Sequence, residues 1–410
     1  MKILLIHNRY SRAAPGGEDV VVDAEQRLLE SAGHQVVRYE RSVDEVGAAN
    51  PLDLLATAWE MQGSQRTHRE LGALIERERP NLAHVHNLFP LISPSAYEAC
   101  HQAGLPLVQT VHNYRLSCAA ATHYRAGDVC ESCDGTKIWP AVRHGCFRRS
   151  HLATLPVALM QRRMHGRRIL QHGVSRFLTL TEFARHRLLS LGIAAHRIAV
   201  RANFIDLPAA AIPRDGQRLS SSPYAIFSGR LSEEKGVLTL LEAWRGVAGL
   251  ALKVLGDGRL RQRCQQFATE HNLPVEFLGN LPRVEALKVV AGASMQIVPS
   301  RWFEGMPLVI LEAWALGVPV IAARLGGMAE MIGHDERGLA FTAGDAQHLR
   351  QRITQLRDSP GLAEELRLAG RRRYAASHTP ERGLESLLEQ YRQVLGGDLT
   401  DQRPLTDQLP

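Results

Sequence analysis

Two carboxylates and two cations stand in this chain where charged side chains have chemistry to do. Glu304 precedes a Gly-Met-Pro step in SRWFEGMPLVILEAWALGVPV (300–320), and Glu312 lies inside the apolar run that follows. An unpartnered carboxylate in apolar surroundings costs several kcal/mol or takes up a proton, so polar groups must meet both. Arg230 and Lys235 flank a turn in SGRLSEEKG (228–236), at the end of a β-rich run. Two cations so placed suit a diphosphate. Pro307 favours the first turn of a helix, which predicts a start near Met306 or Pro307. The backbone of Gly305, Met306 and Leu308 then presents N–H groups at the positive end of that helix, a ready phosphate site. Glu304 beside that end reaches a sugar hydroxyl. Glu312, about 8–12 Å further along the axis, meets a ribose across the span of a diphosphate. Gly256 and Gly258 in LGDGRL let a backbone approach a ligand closely. That loop opens like a dinucleotide fingerprint, but Arg261 stands where a third glycine would be, so alone it identifies nothing.

These residues need a scaffold that gathers loop ends. Short β-rich runs at 2–7, 35–40, 82–87, 106–113, 176–181 and 198–203 alternate with amphipathic stretches such as VVVDAEQRLLESAG, which stops at Gly33. Residues 207–223, rich in Pro, Gly and Ser, read as a linker. The rhythm restarts at 224–230, 251–256, 275–280, 295–300, 319–323 and 339–343. The expected architecture is α/β, with two Rossmann-like, doubly wound parallel-sheet domains, 1–206 and 224–380, facing a central cleft. Ligands in such sheets sit beyond the carboxyl ends of the strands. Residues 381–395 predict a helix crossing back to the first domain, and 396–410 a disordered tail.

The chain has 410 residues, 45% of them hydrophobic, which supports full-sized cores and excludes global disorder. The apolar start of MKILLIHNRY is too short for a signal peptide and reads as a first strand. The run Met306 to Ala323 is interrupted by Glu312, Gly317 and Pro319, a poor spanning helix. A soluble cytoplasmic protein is expected, peripheral at most on the inner face of the membrane. The formal charge of +7 is concentrated: residues 135–181 carry no Asp or Glu, but hold Lys137, Arg143, Arg148, Arg149, Arg162, Arg163, Arg167, Arg168 and Arg176. Such a surface points to an anionic partner. SHLATLPVALMQRRMHGRRIL, with its paired arginines, reads as a monotopic membrane contact or a pyrophosphate-lipid acceptor site. It reads equally as a core helix with a cationic outer side. Nucleic acid is not expected, because no aromatic-basic platform accompanies the charge.

Cys118, Cys130, Cys133 and Cys146 follow the pattern C-x11-C-x2-C-x12-C, while Cys100 and Cys264 read as core thiols. Four thiols about a tight CxxC have the spacing of a structural zinc site. Unligated thiols and a redox pair are the alternatives, though a redox CxxC normally opens a helix and GDVCESCDG reads as a loop. The insertion they would pin runs from about 115 to 150.

The motifs together carry a resemblance. FEGMPLVILEA, SGRLSEEKG, LGDG and ARLGGMAEMI closely resemble the family 4 retaining glycosyltransferases of the GT-B fold. PGGEDVVV (15–22) is similar to the family's glycine-rich loop near the nucleotide-sugar, and TVHNYRLSC (110–118) to its His-containing strand end beside the transferred sugar. Through HVHNLFPLISPS and HNYRLSC…CESC…HGC the chain looks most like bacterial exopolysaccharide-type members, and the likeness spans nearly all of residues 1–395.

The resemblance implies transfer of a sugar from a UDP- or GDP-sugar with retention of configuration and without a catalytic metal. No Asp-x-Asp occurs in the sequence, so Arg230, Lys235 and the helix N-terminus would stabilise the departing diphosphate. Glu304 would hold the donor sugar, Glu312 the ribose, and His112 the sugar's far edge, with Gly16 and Gly17 close by. No nucleophile is evident, and the family suggests front-face attack with the leaving phosphate helping to deprotonate the acceptor. The expected acceptor is a lipid-linked saccharide of a bacterial surface polysaccharide. Against this stand a sugar-nucleotide epimerase or phosphorylase on a similar fold and a non-catalytic nucleotide-sugar binder. A phosphorylase would need a pyridoxal-phosphate lysine motif that is not found, and donor hydrolysis separates enzyme from binder.

Overall fold

The computed structural model describes residues 1–10, 16–46, 57–212 and 223–396. The chain divides into two compact units. Unit 1 holds Met1–His123, Cys130–Ala202 and the chain from Gly383 onward; unit 2 holds Tyr124–Val129 and Asn203–Arg382.

Unit 1 is built on strands β1 (Lys2–Arg9), β2 (Gln35–Ser42), β3 (Leu82–Asn87), β4 (Leu107–Val111), β7 (Arg176–Thr179) and β8 (Ile198–Val200). They form one parallel sheet in the order β2-β1-β3-β4-β7-β8. Burial on both faces explains their nearly continuous apolar runs, such as Ile3 to Ile6. Strand order reverses between β1 and β3, so a ligand crevice belongs at the carboxyl ends of those two. The short antiparallel hairpin of β5 (Tyr124–Arg125) and β6 (Asp128–Val129) has no counterpart in the sequence reading. Two-residue strands carry no readable alternation.

Unit 2 repeats the plan with β9 (Tyr224–Ser228), β10 (Ala251–Leu255), β11 (Val275–Gly279), β12 (Met295–Val298), β13 (Val320–Ala323) and β14 (Leu339–Phe341). Its parallel order is β11-β10-β9-β12-β13-β14, and the reversal falls between β9 and β12. All twelve strands of the two six-stranded sheets coincide with β-rich runs of the sequence, and both doubly wound sheets have the expected parallel form.

The unit boundary differs from the sequence reading, which placed it at 206/207. Residues 203–205 are tied into unit 2: the Ile205 N–H donates to the His378 carbonyl at 3.1 Å, His378 Nδ1 lies 2.9 Å from the Asn203 carbonyl, and Tyr374 donates to the Ile205 carbonyl at 3.2 Å. Most of the predicted linker, 213–222, and the predicted tail from 397 lie outside the described residues. The last helix, Pro380–Gly396, puts Leu387, Tyr391 and Val394 into a core with Ile3, Leu29, Leu82, Val108 and Leu178.

The arginine-rich stretch is not one helix. His151–Gly166 is helical, the chain breaks at Arg167 and Arg168 (φ 52°), and Ile169–His172 forms a separate turn. Val157, Met160 and Met164 pack into the core, so the apolar side of this helix faces inward. Leu152 and Leu159, seven residues apart, are exposed at 85% and 39%. Arg163 meets Glu98 at 3.6 Å, while Arg162, Arg167 and Arg168 are exposed. Among the described residues no helix is long and apolar enough to cross a membrane.

Candidate functional site

In unit 2 the predicted residues converge where strand order reverses. Arg230 and Lys235 follow β9; Ser300 to Glu304 follow β12. Glu304 is 6% exposed, and its Oε1 accepts from Lys235 Nζ at 2.7 Å and Ser300 Oγ at 2.6 Å. The two loops are tied again by the Arg301 N–H donating to the Glu234 carbonyl at 2.8 Å. Lys235 Nζ also lies 5.3 Å from the ring centre of Trp302, a cation–π contact. The Trp302 indole N–H is buried without a partner among the described residues. Arg230 is exposed.

The helix Leu308–Leu316 starts one residue later than expected, with Pro307 at the cap rather than in the first turn, and no side chain caps it. Its first N–H groups therefore stay available to an anion. Gly305 and Met306 form the approach, and Met306 Sδ accepts from the Asn203 N–H at 3.3 Å. Glu312 is half a helix further in, 3.4 Å from Arg283. Burial raises its carboxyl above the ordinary range, with Arg283 opposing. Both glutamates thus have protein partners in addition to any sugar hydroxyl.

Gly256 and Gly258 serve a different end from the one their sequence suggests. A Cβ at Gly256 would stand 2.2 Å from the Gly229 carbonyl oxygen, and one at Gly258 2.5 Å from that of Leu231. The Leu231 N–H donates to the Asp257 carbonyl at 2.9 Å. These glycines let the β10 loop press against the β9 loop that carries Arg230, so the close approach is backbone to backbone. Asp257 is paired with Arg261 at 2.8 Å.

In unit 1, Gly16 caps the helix Gly17–Ser31, and its N–H donates to Asp19 Oδ2 at 2.7 Å. Asp19 Oδ1 in turn lies 2.8 Å from His7 Nε2, both side chains fully buried. His112 follows β4, and its neighbour Asn113 donates to Glu18 Oε1 at 2.6 Å. The glycine loop and the histidine loop are therefore joined within unit 1.

Behind His112 lies a network the sequence reading left unassigned. Glu25 is 0% exposed on the inner face of its helix; Arg201 Nη1 donates to its Oε2 at 2.6 Å. Its Oε1 is 3.0 Å from His84 Nδ1 and 3.2 Å from His86 Nε2. His86 Nδ1 reaches His112 Nε2 at 2.9 Å, and Tyr391 OH reaches His84 Nδ1 at 2.7 Å. The signal was present: Glu25 sits among Val21, Val22 and Leu29 at helical spacing, and His84 and His86 share a face of β3.

The four cysteines are of intermediate exposure. Burial, then Cys118, Cys146 and Cys130, push the Cys133 thiol up to about 11, against a backbone bond from Ala141. The His123 N–H approaches Cys118 Sγ at 3.4 Å. The thiols are neighbours, but among the described residues only Glu25, His84 and His86 place three ligand atoms within 4.8 Å.

Comparison with known proteins places these features in a lineage. The description Glycosyltransferase Family 4 matches residues 15–208, and Glycosyl transferases group 1 matches residues 210–373. A Rhizobium meliloti lipopolysaccharide core biosynthesis glycosyltransferase is 32% identical over 178 residues, 42% of this chain and 46% of that protein. A Corynebacterium glutamicum GDP-mannose-dependent mannosyltransferase of monoacylated phosphatidylinositol monomannoside is 30% identical over 161 residues, 37% of this chain and 42% of that one. The chain thus spans less than half the length of these curated relatives. Anabaena HepE, solved with UDP, has the same fold: TM-score 0.66, 17% identity, covering 96% of this chain and 100% of its own.

Proposed function

The chain belongs to the family 4 glycosyltransferases, with a group 1 second half, and on that premise we propose that it moves a sugar from a UDP- or GDP-sugar to a growing bacterial surface polysaccharide, with retention of configuration. The observation that carries the reading is the Lys235–Glu304 pair at the strand-order reversal of unit 2, beside a helix start that no side chain caps. Relatives named for lipopolysaccharide core biosynthesis and for mannosyl transfer to a phosphatidylinositol monomannoside, and a UDP-bound structural neighbour, support the substrate class.

In this reading the donor diphosphate lies against the first N–H groups of the Leu308–Leu316 helix, with Arg230 and Lys235 neutralising charge as it departs. These groups do the work without a metal. Lys235 turns from Glu304 toward phosphate, which frees a carboxylate lone pair for a sugar hydroxyl. Glu312 takes the ribose; in unit 1, Gly16, Gly17 and His112 keep the nucleotide-sugar roles that the family resemblance gives them. The acceptor is a lipid-linked saccharide, and Arg162, Arg167, Arg168 and the exposed Leu152 and Leu159 form a peripheral contact with the cytoplasmic leaflet.

A thermal-shift panel of nucleotide-sugars, followed by product analysis with the stabilising donor, tests the reading. One UDP- or GDP-sugar should raise Tm by mass action and give a product with the donor's anomeric configuration. No stabilisation by any member, or an inverted product, would overturn it.

A further inference from the structure

The network behind His112 decides what that histidine can recognise. His86 and His112 bond edge to edge: their rings are 18° from coplanar with centroids 5.2 Å apart, as an in-line 2.9 Å hydrogen bond between imidazoles requires. One nitrogen must donate and the other accept. On its far side His86 Nε2 faces Glu25 Oε1 at 3.2 Å. The approach falls short of an aligned hydrogen bond, but its sign is plain, because a ring lone pair aimed at a carboxylate oxygen is repulsive. Burial works against an ionised Glu25, but Arg201, then His84 and His86, hold its carboxyl well below the ordinary range.

A divalent cation bridging Glu25, His84 and His86 is the first alternative, since their ligand atoms are close enough. Charge argues against it. Arg201 already neutralises the cluster's single carboxylate, and a dication would leave two buried positive charges uncompensated. Tyr391 OH moreover occupies His84 Nδ1.

We propose that Arg201, Glu25 and His86 are positioning residues that lock the tautomer of His112, so that it presents a bare Nδ1 lone pair and recognises a hydroxyl donor on the ligand. Ionised Glu25 requires the proton of His86 on Nε2. His86 Nδ1 is then an acceptor, His112 must donate from Nε2, and His112 Nδ1 is left unprotonated. Among the described residues the His112 ring bonds through Nε2 to His86, which leaves Nδ1 for a ligand. Burial, with the neighbouring His84 adding to it, holds His86 at about 3, and burial with His86 and His7 keeps His112 well below the ordinary histidine range. Neither ring is charged near neutral pH, so the tautomer is the variable that matters. The identity of the hydroxyl as one on the donor sugar rests on the function proposed above; the tautomer does not.

Long-range 15N–1H correlation spectra of the full chain, labelled at histidine and assigned by difference with His112→Gln, test it. The expected result is a pyridine-type Nδ1 and a pyrrole-type Nε2 on His112, unchanged from pH 6 to 8. A protonated Nδ1 or an averaged mixture would overturn the lock whatever the activity. His86→Gln, whose amide can both donate to Glu25 and accept from His112, should keep the tautomer and most of the transfer rate. His86→Leu should average the tautomers and lower kcat about 10- to 100-fold, the scale of a misplaced contact, with donor KM shifted less. Should His86→Leu not fold, the wild-type spectrum still decides. The expected tautomer together with full transfer by His112→Ala would leave the lock standing and remove the sugar contact.

Discussion

Lys235 Nζ and Glu304 Oε1 lie 2.7 Å apart, 69 residues distant in sequence, and join the loops after β9 and β12 where the sheet of unit 2 reverses its strand order. The pair holds a cation and an anion at one point, and on the proposed reading a ligand carrying both phosphate and hydroxyls would exchange partners there.

Lys235→Ala, Glu304→Ala and Arg230→Ala should each reduce transfer by at least about 100-fold, the scale of losing a preorganised charge contact. Lys235→Ala and Glu304→Ala should be strongly non-additive in a double-mutant cycle, since each leaves the other unpaired. EDTA should leave the rate intact. Full activity in both cation variants would remove the diphosphate assignment.

Glu312 sets a pH signature. Burial raises its carboxyl above the unfolded value, with Arg283 opposing. A carboxyl raised in the folded state binds its proton more tightly there, so its contribution is most favourable in acid and is lost as pH rises through the folded pKa. Glu312→Gln escapes that loss. The Tm difference between Glu312→Gln and wild type should grow more positive from pH 4 to pH 7, while nucleotide affinity falls. A pH-independent difference would contradict the assignment.

The Arg201–Glu25 pair behaves oppositely. Burial pushes Glu25 up but Arg201 overcomes it, and the carboxyl ends well below its ordinary range. Its stabilisation is therefore present above the unfolded pKa and lost as pH falls. Arg201→Met should cost about 3–5 kcal/mol at pH 7 by stranding a buried charge. The deficit should shrink toward pH 4 in chemical denaturation. An equal deficit at both pH values would show that packing, not charge, is at stake.

Protein purified without added metal is expected to carry about one zinc per chain on Cys118, Cys130, Cys133 and Cys146, whose thiolates must draw to about 3.8 Å from one another around bonds of about 2.3 Å. Cys133→Ser should lower both zinc content and Tm. Metal-free protein with four freely titrating thiols would end the idea.

Arg162, Arg167 and Arg168 are exposed, and near an anionic surface each contributes about 1 kcal/mol. The chain should sediment with anionic vesicles at low salt and leave them as salt rises. Reversing the three to Glu should abolish sedimentation and leave donor-induced stabilisation unchanged. Wild-type protein indifferent to such vesicles would point to a soluble acceptor.

What the sequence revealed was local. Short β-rich runs located every strand of the two six-stranded sheets, and the punctuation after them located Arg230, Lys235, Glu304 and the glycine loops. The partners of those residues were not legible, because pairing depends on topology rather than period. Glu304 was assigned to sugar hydroxyls although Lys235 and Ser300 already meet it. Glu25 and Arg201 are 176 residues apart, and nothing local announces that they touch. Gly256 and Gly258 were noticed for their conformational freedom, but only the neighbouring loop reveals what uses it. The arginine-rich helix was drawn too long because Arg168 adopts a left-handed turn that its residue type does not favour.

The helix Pro380–Gly396 buries Leu387, Tyr391 and Val394 beside Ile3 of the first strand. A ribosome making this chain emits that strand well before the helix that covers it. Unit 2, apart from Tyr124–Val129, is one uninterrupted stretch from Asn203 to Arg382, so it can close during synthesis while unit 1 waits with the apolar patch around Ile3, Leu82 and Leu178 bare. Synthesis at about 5–20 residues per second leaves that patch open for tens of seconds. Nascent chains arrested before residue 383 should accordingly show a protease-resistant second half and a cleavable first half, and should be the species that chaperones hold.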